Sequence, residues 1–66
     1  MTDIGGKIKE ARQIKGVSQT QLADILHVRQ TSISNWETGV SEPSVDMIRQ
    51  IAIALECDPN FLFGFD

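Results

Sequence analysis

Ile4, Ile8 and Ala11, with Ile14 extending the row, recur at helical spacing between Lys7, Lys9, Glu10 and Lys15. An apolar face opposite a charged one predicts an amphipathic helix over about 3–15, stopped by Gly16. Ser18 followed three residues later by Gln21 has the form of a capping box, in which the hydroxyl caps and the amide reaches back. It opens a second, short helix over 19–26 carrying Leu22, Ala23, Ile25 and Leu26. A break at Leu26-His27-Val28 precedes a third helix over 30–38, with Ile33 and Trp36 facing inward and Gly39 ending it. Val40 to Pro43 reads as a loop, because the residue before a proline disfavours helix. Ser44 opens a fourth helix over 44–55, where Val45, Ile48, Ile51, Ala52 and Leu55 form an apolar stripe. Asp58-Pro59 is a start signal for a fifth helix over 59–63, with aspartate at the N-cap and proline at the first helical position. Strand alternation, repeats and linkers are absent from the pattern. The expectation is an all-α fold of five short helices in one domain spanning 1–66.

The segment from Gln19 to Thr38 joins two short helices by a three-residue turn, with Ala23 at the crossing, where a larger side chain would push the helices apart. With Ile33 and Trp36 assigned to the core, Gln30, Thr31, Ser32, Ser34 and Asn35 have no packing task. Amide and hydroxyl groups clustered on one exposed helix are the groups that read base edges in the major groove.

Composition adds limits. Sixty-six residues form a thin core, since a chain this short buries only about 60% of the surface its unfolded form exposes. A single cysteine, Cys57, excludes an internal disulfide and reads as a buried, inert thiol. His27 and Cys57 are too far apart in sequence for zinc spacing, so no metal or other cofactor is expected. Serine, histidine and aspartate sit in cap and turn contexts, and Gly5-Gly6 lacks the Lys-Ser/Thr of a phosphate loop, so no enzyme is expected. No apolar run approaches a membrane span and no secretion signal opens the chain, which points to a cytoplasmic protein.

The net charge of −3 is divided unevenly. Residues 1–36 hold Lys7, Lys9, Arg12, Lys15 and Arg29 against Asp3, Glu10 and Asp24; residues 37–66 hold Arg49 against Glu37, Glu42, Asp46, Glu56, Asp58 and Asp66. Only the first half has the charge to face a polyanion.

Five stretches in order, 4–12 (IGGKIKEAR), 16–23 (GVSQTQLA), 31–39 (TSISNWETG), Pro43-Ser44 and 54–62 (ALECDPNFL), resemble the lambda-repressor/Cro-like, or XRE, family of helix-turn-helix regulators. The resemblance covers nearly the whole chain. It implies a five-helix domain that binds double-stranded DNA operators, as a phage- or mobile-element-type repressor, with a homodimer on palindromic sites and no small-molecule ligand. Matched residue by residue, Gln30, Thr31 and Asn35 correspond to base-contacting positions and Gln19 to a phosphate-contacting one. Ser32 joins the expected base contacts, and Arg29, Ser34 and Thr38 the expected phosphate contacts, as polar or basic residues on or beside the same helix. Arg12 and Glu37 match an arginine–glutamate pair that ties the first helix to the end of the third. Three residues depart from the family pattern. His27 stands where glycine in a left-handed conformation is usual, Arg29 replaces a small capping hydroxyl, and Val40-Ser41-Glu42 replaces a loop that is often basic.

Lys7, Lys9 and Lys15 read as a solvated face that steers association rather than as direct contacts. Phe61 and Leu62 can fill the core, which leaves Phe63 and Phe65 as an apolar seam between two copies. The alternative is a protein-interaction module of the same fold that has lost DNA binding. Charge placement separates the two. Arg29, Gln19 and the lysines sharing a surface with Gln30 and Asn35 favours DNA, whereas Glu42 or Asp46 entering that surface favours the interaction module.

Overall fold

Side-chain caps set where four of the five helices start. The computed structural model describes residues 3–64 and contains α1 (Ile4–Lys15), α2 (Gln19–Leu26), α3 (Gln30–Thr38), α4 (Val45–Leu55) and α5 (Pro59–Phe63). The Asp3 carboxylate accepts from the Gly6 N–H at 2.9 Å and so caps α1 from outside. At α2 both arms of the capping box are made: Ser18 Oγ accepts from Gln21 N–H at 3.0 Å, and Gln21 Oε1 accepts from Ser18 N–H at 2.8 Å. Ser44 caps α4 through the Met47 N–H, and Asp58 caps α5 through the Asn60 N–H, with Pro59 at the first helical position. Asp3 and Ser44 are therefore caps, and α1 and α4 each begin one residue later than the pattern of apolar positions suggests. The all-α expectation and the other three helices match the structure.

Each helix contributes one fully buried large side chain: Ile8, Leu22, Ile33, Ile51 and Leu62. Ala11, Ala23 and Ala52 are buried among them, where small side chains let the helices cross closely. Along α4, Ile48, Ile51, Ala52 and Leu55 fall at i, i+3, i+4 and i+7, the face that a helix can bury.

Several apolar positions expected in the core are not there. Ile14 is 77% exposed, Val45 57% and Ile25 52%. Each continues an apolar row beyond the area that five short helices can cover. Trp36 is half-buried, packed on the core rather than within it, and so are Phe61 and Phe63. Phe65 lies outside the described residues.

Gly5 determines how α1 meets α3. A Cβ there would lie 2.3 Å from the Trp36 carbonyl oxygen and 2.8 Å from that of Glu37. Backbone therefore touches backbone at the N-terminus of α1 and the C-terminus of α3, a contact closed to any other residue. Gly5, Ile8, Ala11 and Arg12 share one side of α1, and Ile33, Trp36 and Glu37 share one side of α3. The two sides face each other.

Two non-glycine residues hold left-handed C-caps: His27 (φ 58°) after α2 and Glu56 (φ 55°) after α4. His27 occupies the turn between α2 and α3, and its N–H closes back on the Asp24 carbonyl at 3.3 Å.

Two stability predictions follow from this packing. His27→Gly should stabilise the domain by about 0.5–1 kcal/mol, because glycine adopts the left-handed region without steric cost, offset in part by its freer unfolded chain. Gly5→Ala should destabilise by about 2–3 kcal/mol, since the Cβ meets backbone carbonyls that cannot turn aside. Urea melts followed by circular dichroism measure both; a neutral Gly5→Ala would show that the α1–α3 contact can open at little cost.

Candidate nucleic-acid interface

On α3, Ile33, Trp36 and Glu37 turn inward, and the opposite side is left open. Arg29, Gln30, Thr31, Asn35 and Thr38 are exposed, and Ser32 and Ser34 are half-buried on the flanks. Thr31, Asn35 and Thr38, spaced i, i+4 and i+7, lie along one side of the helix. Thr38 Oγ1 donates to the Ser34 carbonyl at 2.9 Å, so its hydrogen is committed within the helix and its lone pairs face out. Arg29 occupies the N-cap of α3 without a side-chain hydrogen bond to the helix. The first turn of α3 is left with open N–H groups beside a guanidinium, a local setting that favours an anion.

Gln30 is held by a partner across the turn. Its Nε2 donates to Gln19 Oε1 at 2.5 Å. Gln19, at the first position of α2, donates from its own Nε2 to Glu37 Oε1 at 3.0 Å. Glu37 also receives Arg12 Nε at 2.7 Å and Arg12 Nη2 at 3.1 Å, and Arg12 Nη1 donates to the Val17 carbonyl at 2.9 Å. The Glu37 side chain is 3% exposed and that of Arg12 12%. Burial alone would push the Glu37 carboxyl up. The hydrogen bonds from Arg12 and Gln19 and the charges of Arg12 and Lys9 outweigh it and hold the group below the usual glutamate range.

The helix-one lysines divide. Lys7 Nζ stands 4.6 Å from the centre of the Phe61 ring, and Lys15 pairs with Glu56. Lys7 is half-buried against α5, whereas Lys15 stays exposed, as expected of a solvated face, and pairs with the C-cap of α4. Lys9 is exposed and near enough to Glu37 to act on its charge. Glu42 lines a groove with Ile4, Trp36, Gly39 and Pro43, which places it at the C-terminal end of α3, the end remote from Gln30. The Cys57 thiol is half-buried, and burial, then the Asp58 charge, push its pKa up. Among the described residues no group of histidine, cysteine and carboxylate side chains could hold a metal ion, and no helix is long and apolar enough to cross a membrane.

Sequence reasoning missed the link from Gln19 to Glu37. The two residues lie on different helices with no periodic relation, and only the packing of α2 against α3 brings the carboxylate to the start of α2. It also missed the pairing of Lys15 with Glu56, for the same reason.

Two helices crossing over a tight turn, with the second presenting a polar face, make a helix-turn-helix unit set in a five-helix all-α domain. The chain belongs to the helix-turn-helix family, whose model matches residues 8–62, and within it to the lambda-repressor-like, XRE type. It is 36% identical over 62 residues to the HTH-type transcriptional regulator DicA of Escherichia coli, covering 92% of this chain and 46% of that protein. It is 34% identical over 61 residues to the competence pilus inhibition repressor of Acinetobacter baylyi, covering 92% and 56%. It is 36% identical over 59 residues to the ImmF control region 10 kDa protein of Bacillus phage phi105, covering 89% and 66%. The chain thus spans about half the length of the first two.

The buried pair should behave as a unit. Arg12→Met or Glu37→Leu alone leaves a charge unpaired and should cost about 3 kcal/mol, the lower end for breaking a buried pair. The double variant should lose clearly less than the sum, and additive losses in thermal melts would reject coupling. Because the native pKa of Glu37 is lowered, the unfolded chain takes up the proton first. The pair's contribution is therefore complete above the ordinary glutamate range and is lost as pH falls through it toward the lowered native value. Melts across that window should show a shallower acid loss for Glu37→Leu than for the parent chain.

Proposed function

We propose that this chain binds double-stranded DNA in a sequence-specific manner and acts as a transcriptional regulator of the phage-repressor type, with α3 in the major groove. The observation that carries this reading is the exposed amide and hydroxyl face of α3, with Gln30 fixed by Gln19 across the turn. A side chain held in one rotamer before contact loses little entropy on binding, which is what base readout from a short helix requires. Membership of the helix-turn-helix family and relatives named as a transcriptional regulator and a repressor support the same reading.

In this arrangement Gln30, Thr31, Ser32 and Asn35 address bases. The amides pair with adenine N6 and N7, and the Thr31 methyl touches a thymine methyl. Gln19, Arg29, Ser34 and Thr38 position the domain on phosphates. Gln19 has one amide hydrogen uncommitted for that purpose, and Thr38 must release its hydrogen from the Ser34 carbonyl to donate. The task is binding rather than catalysis, in the cytoplasm and without a cofactor or small-molecule ligand. The working form is a homodimer with half-sites about one helical turn apart, roughly 34–36 Å. Its seam is the C-terminal end, where half-buried Phe61 and exposed Ile14 border one apolar groove.

Selection from a random duplex pool tests the function. Enrichment of an A·T-rich, two-fold-related site is expected; no enrichment over background would favour the protein-interaction module. On the selected site, Gln30→Ala should cost about 1–3 kcal/mol and relax preference at one base position per half-site. Titrations across single-base variants at one fixed salt concentration measure this, and a uniform loss with an unchanged profile would remove Gln30 as a base reader. Sedimentation on the same duplex should give two chains per site.

A further inference from the structure

Glu37 places an acceptor-only group at the end of a row of amides. An ionised carboxylate has no hydrogen to give, so the Gln19 amide must turn its Nε2 toward it. The planar amide then turns Oε1 the other way, where it can only accept, and Gln30 meets it with Nε2. Gln30 is left with its Oε1 and one N–H: an acceptor and a donor, the complement of adenine N6–H and N7. We propose that Glu37 is a specificity-positioning residue. It sets the polarity of the Glu37–Gln19–Gln30 relay and thereby makes adenine, rather than guanine, the base that Gln30 prefers. The inference rests on the reading of Gln30 as a base reader.

Arg12 makes the polarity switchable. Its guanidinium donates to both Glu37 oxygens and accepts nothing. Oε1 of Glu37 is shared by Arg12 Nη2 and Gln19 Nε2, and Oε2 takes the shorter bond from Arg12 Nε. With an amide at position 37 whose oxygen keeps that shorter bond, the amide nitrogen takes the place of Oε1 and faces Gln19. Gln19 must then reverse, offering Oε1 to residue 37 and Nε2 to Gln30. Gln30 reverses in turn and turns its NH2 outward. Two donors match the guanine acceptors O6 and N7 instead of the donor–acceptor edge of adenine. A near-isosteric exchange in a side chain buried beneath the recognition helix thus changes what the surface reads. The hydrogen bonds and charges that keep Glu37 ionised at neutral pH hold the relay in its adenine-reading form.

The test uses Glu37→Gln and Gln19→Met in the intact chain, each checked for folding by circular dichroism. Binding is measured on single-base variants of the selected site. Glu37→Gln should lower the adenine-to-guanine preference at the Gln30 position roughly tenfold or more and leave other positions unchanged. Gln19→Met keeps the Arg12–Glu37 pair and cuts the relay, so it should relax that preference without inverting it. In the free chain, the side-chain NH2 resonances of Gln19 and Gln30 should both move in Glu37→Gln, a change that a merely structural role would not produce. An unaltered preference profile in folded Glu37→Gln overturns the inference. If that variant does not fold, an unaltered profile in Gln19→Met overturns it in the same way. A parent chain that enriches no site overturns the functional reading and this inference together, whereas a parent chain with clear preference and variants that share it overturns this inference alone.

Discussion

A carboxylate that is 3% exposed has lost its water and must be satisfied by the protein. Glu37 meets that demand with three donors from two other helices: Nε and Nη2 of Arg12 on α1 and Nε2 of Gln19 on α2. Arg12 has an N–H to spare and spends it on the Val17 carbonyl, which fixes the chain between α1 and α2. Desolvating one negative charge therefore constrains α1, its exit loop, the start of α2 and the end of α3 together. The geometry is open only because Gly5 lets the α1 backbone reach the carbonyls of Trp36 and Glu37. A Cβ at position 5 would press on those carbonyls and push α1 from α3, at the expense of the fit between Arg12 and Glu37.

The rest of the molecule is built to make that seam rigid at low mass. Four of the five helices have a side-chain N-cap, and each helix sends one fully buried side chain to a common centre. The exception among the caps is α3, which Arg29 opens without a side-chain hydrogen bond, just after His27 in a left-handed turn. Local rules are broken twice within three residues, at the edge of the proposed DNA-reading face. Such concessions are expected where function competes with stability. An uncapped N-terminus keeps its N–H groups for an external anion, and a hydroxyl cap would have consumed one of them.

Local chemistry was legible in the sequence, and long-range docking was not. Ser18 with Gln21, Asp58 with Pro59, and the row Ile48, Ile51, Ala52, Leu55 each announce a cap or a buried face within a short local stretch, and each stands in the structure. Val45 and Ile14 obey the same periodicity and are exposed, because periodicity reports which side of a helix is apolar but not how far its neighbours extend. The Arg12–Glu37 match came through family resemblance, since nothing in the spacing of 25 residues would suggest it. Lys7 over Phe61 follows from how α5 folds back across α1, and Lys15 on Glu56 from how the end of α4 meets α1; the sequence pattern carries no trace of either.

An acidic chain proposed to bind a polyanion has to find its affinity somewhere other than bulk charge. With Lys7 turned to Phe61, Lys15 paired with Glu56 and Arg12 consumed by Glu37, few cations remain to release counterions from a phosphate backbone. Neutral donors must carry more of the contact: the open N–H groups of α3, the amides of Gln19, Gln30 and Asn35, and the hydroxyls of Thr31 and Thr38. Such contacts are short-ranged and directional, so they reward correct register and give little to a wrong site. On the proposed reading the domain trades non-specific affinity for discrimination, and the proposed dimer would recover affinity by engaging two half-sites at once. The buried ion pair belongs to the same trade. It removes a cation from the surface that would have bound any phosphate, and uses it to hold Glu37, and through it the Gln19 amide, beside the residue proposed to read bases.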